Sequence, residues 1–92
     1  MRAAQDPHYI ELIARLRKVR KAKGYSQADL AELLNRPQSY VSKVETCERR
    51  IDPIEAARWC IVLGVSLQDV LPADLQGPRE AATPKRTGRA KR

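Results

Sequence analysis

The stretch Ser26-Gln27-Ala28-Asp29-Leu30-Ala31-Glu32-Leu33-Leu34-Asn35-Arg36-Pro37-Gln38-Ser39-Tyr40-Val41-Ser42-Lys43-Val44-Glu45 holds two short helical patterns separated by a break. Ser26 with Asp29 three positions on reads as a capping-box start, in which a serine oxygen takes a free helix N–H and the acid reaches back. Ala28, Leu30, Ala31, Leu33 and Leu34 then supply an apolar stripe that runs to Asn35, enough for about two turns. Proline tolerates a helix N-terminus, so Pro37 opens a second helix at Gln38. Its apolar positions are Tyr40, Val41 and Val44. With Val41 and Val44 facing inward, helical periodicity leaves Gln38, Ser39, Ser42 and Lys43 on the outer side.

Outward from this pair the same grammar repeats. Asp6 and Pro7 form an N-cap and first helical position, followed by Tyr9, Ile10, Ile13, Leu16 and Val19 at spacings of three and four. This first helix ends before Gly24 and carries Arg15, Arg17, Lys18, Lys21 and Lys23 on its other face. Asp52, Pro53 and Glu55 start a fourth helix that stops at Gly64, with Ile51 placed to staple onto Ala56. Ser66 and Asp69 cap a fifth, with Leu67, Val70 and Leu71, ended by Pro72. Aromatics are 4% of the chain and Phe is absent, so the core should be built mainly of Leu, Ile, Val and Ala, which favours an all-α fold.

Ninety-two residues make one domain. We divide the chain into a helical domain, 1–75, and a tail, 76–92. The tail holds no large apolar residue and carries six cations against one anion, five of the seven net positive charges. Such a segment buries too little to offset the entropy of ordering, so we expect a disordered basic tail. The longest apolar run, Trp59 to Leu63, is far short of a bilayer crossing. No secretory signal pattern opens the chain, and a cytoplasmic protein with no membrane partner is expected. Cys47, Cys60 and a single histidine, His8, make neither a four-ligand zinc site nor a disulfide framework. With no Gly-rich phosphate loop either, no enzyme activity, metal or cofactor is expected. Cys47 reads as an ordinary reduced thiol, the alternative being a redox sensor near the end of the third helix, Cys60 as a small core residue and His8 as an exposed first-turn residue.

Two helices of two turns joined by about three residues match the helix-turn-helix unit, whose second helix enters the DNA major groove. The small Ala31 allows the two to cross closely. The run from about Leu12 to Leu71 resembles the Cro and phage-repressor type of helix-turn-helix family, also called xenobiotic-response-element regulators. The matching pieces are Leu16-Arg17 and Arg20, Gly24 before Ser26-Gln27, Leu30-Ala31, Gln38 through Glu45, Glu48-Arg49-Arg50, and Leu63-Gly64-Val65-Ser66.

The resemblance implies a compact five-helix repressor-like domain that binds double-stranded DNA. Gln38, Ser39, Ser42 and Lys43 would face base edges. Gln27, Arg36, Tyr40, Thr46, Arg49 and Arg50 would serve the DNA backbone. Arg20 and Glu45 would form a partly buried structural ion pair. The chemistry agrees, since a Gln amide matches adenine N7 and N6 and a lysine matches guanine O6 and N7. Two positions depart from the family pattern: Asn35 and Cys47 stand where glycine is frequent. Asparagine tolerates positive φ, whereas Cys47 implies a different exit from the second helix of the pair.

The expected function is a transcriptional repressor that binds a two-half-site operator as a homodimer, because one short helix reads about half a site. Leu67, Val70, Trp59 and Leu75 are the candidate dimer residues, with Trp59 open to a core role as well. An antitoxin or other protein-interaction module of the same fold is the alternative, although a basic tail does not favour a protein partner. A non-specific architectural protein would not need Gln38 and Lys43, and the polar quartet would then be only a solvated face.

Overall fold

The computed structural model describes residues 6–76. Five α-helices follow one another, α1 (Pro7–Ala22), α2 (Gln27–Leu34), α3 (Gln38–Glu45), α4 (Pro53–Leu63) and α5 (Leu67–Val70), and a 3-10 turn, Ala73–Leu75, closes the described chain. No strand occurs among the described residues, and none of their helices is long and apolar enough to cross a membrane. Residues 77–92, and with them nearly all of the basic tail, lie outside the described residues.

Side chains set four of the helix starts. The Asp6 carboxylate accepts from the His8 N–H to start α1. Reciprocal capping boxes start α2 (Ser26 and Asp29), α4 (Asp52 and Glu55) and α5 (Ser66 and Asp69). The paired hydrogen bonds satisfy donors that a helix N-terminus leaves open, and those of Ser26 hold the Asp29 carboxyl below its ordinary range. Among these helices α3 alone has no side-chain cap, its N-cap being Pro37.

The first four helices end in one way. After each comes a residue in left-handed backbone: Gly24 (φ 81°), Asn35 (φ 59°), Cys47 (φ 63°) and Gly64 (φ 74°). In each case the same two bonds close the end. For α2 they are Asn35 N–H to the Glu32 carbonyl and Arg36 N–H to the Ala31 carbonyl; for α3, Cys47 to Val44 and Glu48 to Lys43. This is the Schellman pattern. The exit from α3 is therefore not different, as Cys47 had implied; a cysteine simply adopts the glycine conformation.

The core collects Tyr9, Ile13 and Leu16 of α1, Leu30 and Ala31 of α2, Tyr40, Val41 and Val44 of α3, and Ala56, Trp59, Cys60 and Leu63 of α4. Ile51 and Val70 complete it, and Pro72 is fully buried beneath the last turn. Each large aliphatic side chain buried in this way contributes about 1.5 to 3 kcal/mol. α2 packs on α3 and α4, and α1 packs across α3, α4 and α5. Two candidate dimer residues are thereby corrected, since Trp59 and Val70 are buried in the core. Within the predicted stripes, Ala28 and Leu33 of α2 and Ile10 of α1 are exposed instead.

Candidate nucleic-acid interface

The buried face of α3 fixes its exposed face. Tyr40, Val41 and Val44 point into the core, and helical geometry then sends Gln38, Ser39 and Lys43 outward, with Ser42 half-buried beside them. Asn35, in left-handed backbone, turns the chain between α2 and α3 so that the outer quartet lies on one side of a short, well-packed helix.

The C-terminal end of α3 is fastened by charge. Arg20 Nε and Nη2 donate to the two carboxylate oxygens of Glu45 at 2.7 and 3.0 Å, and Nη1 donates to the Tyr25 carbonyl at 2.7 Å. The amide of Gln27 donates to Glu45 Oε1 at 3.0 Å, and Arg17 Nε stands 3.8 Å from the same oxygen. The Arg20 and Glu45 side chains are only 6% and 2% exposed. A buried carboxylate needs such a set of donors to offset its desolvation. α1, α2 and α3 are thus tied at one point.

The N-terminal half of α3 is fastened through Tyr40. Its hydroxyl accepts from the Trp59 indole N–H at 3.1 Å and donates to Glu55 Oε2 at 3.1 Å. Arg49 Nη1 donates to Glu55 Oε2 at 2.9 Å, and Arg36 Nη2 lies 3.8 Å from it. The guanidiniums of Arg36 and Arg49 also sit over the Tyr40 ring, 4.6 and 4.9 Å from its centroid. Burial pushes the Tyr40 phenol up, reinforced by Glu55 and opposed by the Trp59 bond. For Glu55 burial alone would raise the carboxyl, but the bonds from Asp52 N–H, Tyr40 and Arg49 outweigh it and hold it low. The carboxylate is therefore ionised and shared among the cations.

Around this frame the remaining expected backbone residues take distinct places. Arg50 lies over the Tyr9 ring at 4.2 Å, and the Tyr9 hydroxyl accepts from the Ile51 N–H at 3.1 Å. The Thr46 hydroxyl is 2.8 Å from Glu48 Oε2 and 3.1 Å from the Ser42 carbonyl. Gln27 is half-buried, its amide nitrogen turned to Glu45. Tyr40 is buried with its hydroxyl engaged on both sides, so it supports arginines and offers no open donor to a phosphate.

Gln38, Ser39, Ser42 and Lys43 are thus brought together on one helix face, while Arg36 and Arg49 gather at Tyr40 of the same helix. Glu55 and Trp59 were missed as parts of the site. Glu55 reads in sequence as a cap acid and nothing more, and no local pattern links it to residues before α3.

Residues 16–70, more than half of the chain, match the family model described as helix-turn-helix. No curated protein matches the chain. The matched span begins at the buried Leu16 of α1 and ends at the buried Val70 of α5, and so takes in the last part of α1 and all of α2 to α5.

Proposed function

The chain belongs to the helix-turn-helix family of the Cro and xenobiotic-response-element type, a family of DNA-binding transcription regulators, and from that premise we propose a sequence-specific repressor that binds a two-half-site operator as a homodimer. One observation carries the reading. The outer face of α3 offers a Gln amide, two hydroxyls and a Lys ammonium, while its other face is locked into the core. Gln38 and Lys43 suit adenine and guanine edges, and Ser39 and Ser42 suit several base partners. The uncapped N-terminus of α3 adds the positive end of the helix dipole, which favours an approach to phosphates.

Arg36, Arg49 and Arg50 serve the DNA backbone in this reading, where contacts fix register without reading sequence. Gln27 and Tyr40 act one step back, by holding Glu45 and the arginines. Leu67 and Leu75 are exposed near the end of the described chain and are the dimer residues we retain. Six cations of the tail add salt-sensitive affinity by displacing counterions.

Selection of bound sequences from a random DNA pool tests the proposal. A palindromic consensus is the expected result. Recovery of no consensus would overturn sequence-specific recognition, and a single unrepeated half-site would overturn the dimer.

A further inference from the structure

Arg36 precedes α3 and Arg49 follows it, yet both guanidiniums lie over the same Tyr40 ring and beside the same Glu55 oxygen. Two cations gathered this closely repel one another. The electron-rich ring face and the carboxylate offset that repulsion. Glu55 is itself held in place, because its Oε1 accepts from the Asp52 N–H at 3.0 Å within the α4 capping box, which leaves Oε2 for Tyr40 and Arg49. The Glu55 side chain is 13% exposed, whereas those of Arg36 and Arg49 are 45% and 42% exposed. The anion lies inside and the cations stand outside.

Each guanidinium keeps donors to spare. Arg49 turns Nη1 to Glu55 and to the Arg50 carbonyl, and Arg36 meets Glu55 only at 3.8 Å, beyond hydrogen-bond length. A guanidinium carries five N–H groups and binds phosphate oxygens in a fork. Resting on the DNA-binding reading above, we propose that Arg36 and Arg49 form a two-armed clamp for the DNA phosphates beside α3, and that Glu55 is the positioning residue that holds both arms. Glu55 then raises the affinity for a polyanion although it is itself an anion.

That sign makes the inference testable. Glu55→Gln keeps a capping-box residue at the third helical position and removes one negative charge. Simple electrostatics predicts tighter DNA binding. The clamp predicts binding weakened about three- to tenfold at about 0.15 M salt, with a salt slope flattened by up to about 0.9 for each phosphate no longer held. In an Arg36→Ala/Arg49→Ala background the same substitution no longer weakens binding. Thermal unfolding shows that the variants are folded, and Arg36→Lys/Arg49→Lys gives a second route that does not disturb α4. Charge is retained there but the fork and the stacking disappear, so several-fold weaker binding supports the clamp and unchanged binding overturns it. Tighter or unchanged binding by folded Glu55→Gln overturns it too. The two readings fail separately: if Gln38→Ala still reduces sequence preference while Glu55→Gln tightens binding, only the clamp falls.

Discussion

Arg20 on α1 grips both carboxylate oxygens of Glu45 on α3 at 2.7 and 3.0 Å, with both side chains almost wholly buried. Removing one partner leaves an uncompensated charge inside the protein. Arg20→Ala or Glu45→Ala therefore lowers stability by about 3 to 5 kcal/mol, read from urea unfolding. Replacing both with apolar residues, as in Arg20→Met/Glu45→Leu, recovers much of that loss. A cost below about 1 kcal/mol for either single change, the range of an exposed pair, would show that the pair contributes little to holding α3.

The outer face of α3 gives a specificity prediction. Gln38→Ala and Lys43→Ala each cost about 1 to 3 kcal/mol on the selected site and much less on random duplex, because base contacts carry the discrimination. Titrations on both DNAs decide this, and equal losses would mean that the side chains read no bases.

Cys47 holds a conformation that glycine adopts freely. Left-handed backbone costs a non-glycine residue about 1 to 2 kcal/mol, and Cys47 sits there at φ 63°. Cys47→Gly relieves this but adds freedom to the unfolded chain and loses the packing of a half-buried thiol. A net gain of about 0.5 kcal/mol is expected, seen as a higher urea midpoint at unchanged slope. Cys47→Val should lower the midpoint, since a β-branched residue fits this region worst. Burial pushes the Cys47 thiol up despite Arg50, which disfavours the thiolate a redox sensor would need.

The two ends of the described chain meet through one titrating contact. His8 Nε2 lies 2.8 Å from Asp74 Oδ2. The hydrogen bond and charge of Asp74 raise the His8 imidazole above its ordinary 6.5, and His8 in turn lowers Asp74 below its ordinary 3.8. The His8 contribution is thus complete below pH 6.5 and is lost as pH rises through the raised value; the Asp74 contribution is complete above pH 3.8 and is lost as pH falls through the lowered one. Both groups are exposed, so the effect falls on docking of the last turn. Proton NMR titration of His8 should show its pKa fall in Asp74→Asn, and amide protection in residues 73–76, corrected for the intrinsic rise of exchange with pH, should drop as pH passes the raised His8 value. An unmoved His8 titration would remove the contact.

The proposed dimer should be open to selective disruption. With Trp59 and Val70 committed to the core, Leu67→Asp and Leu75→Asp should yield a folded monomer by sedimentation, with weaker binding to a full operator and unchanged binding to a half-site. A wild-type monomer that occupies a full operator singly would dispose of this arrangement.

The helix starts and ends were legible because capping is local: Ser26 with Asp29 and Asp52 with Glu55 announce themselves within one turn, and Gly24 and Gly64 mark the stops. The inward face of α4 was not. Ile54 and Ile61 are exposed while Ala56, Trp59, Cys60 and Leu63 are buried, so the helix is apolar on both sides and its pattern does not say which side faces the core. The last turn, Ala73–Leu75, escaped notice because three residues have no period to read. Along α1 the buried series Tyr9, Ile13, Leu16 closes on Arg20, a cation at a position where periodicity alone asks for an aliphatic residue. The polar quartet of α3 was readable by subtraction from Val41 and Val44, whereas the joint hold of Tyr40 and Glu55 on two arginines depends on tertiary contacts that no spacing reveals.

With Glu45 tied to α1 and α2 and Tyr40 tied to α4, α3 is anchored toward both ends and, in the proposed DNA complex, should act as a stiff template. When a target does not match its contour, the duplex must supply the adjustment. Operators should therefore be ranked in part by how readily their untouched steps bend or twist, so that flexible pyrimidine–purine steps between the half-sites influence affinity without meeting a single side chain.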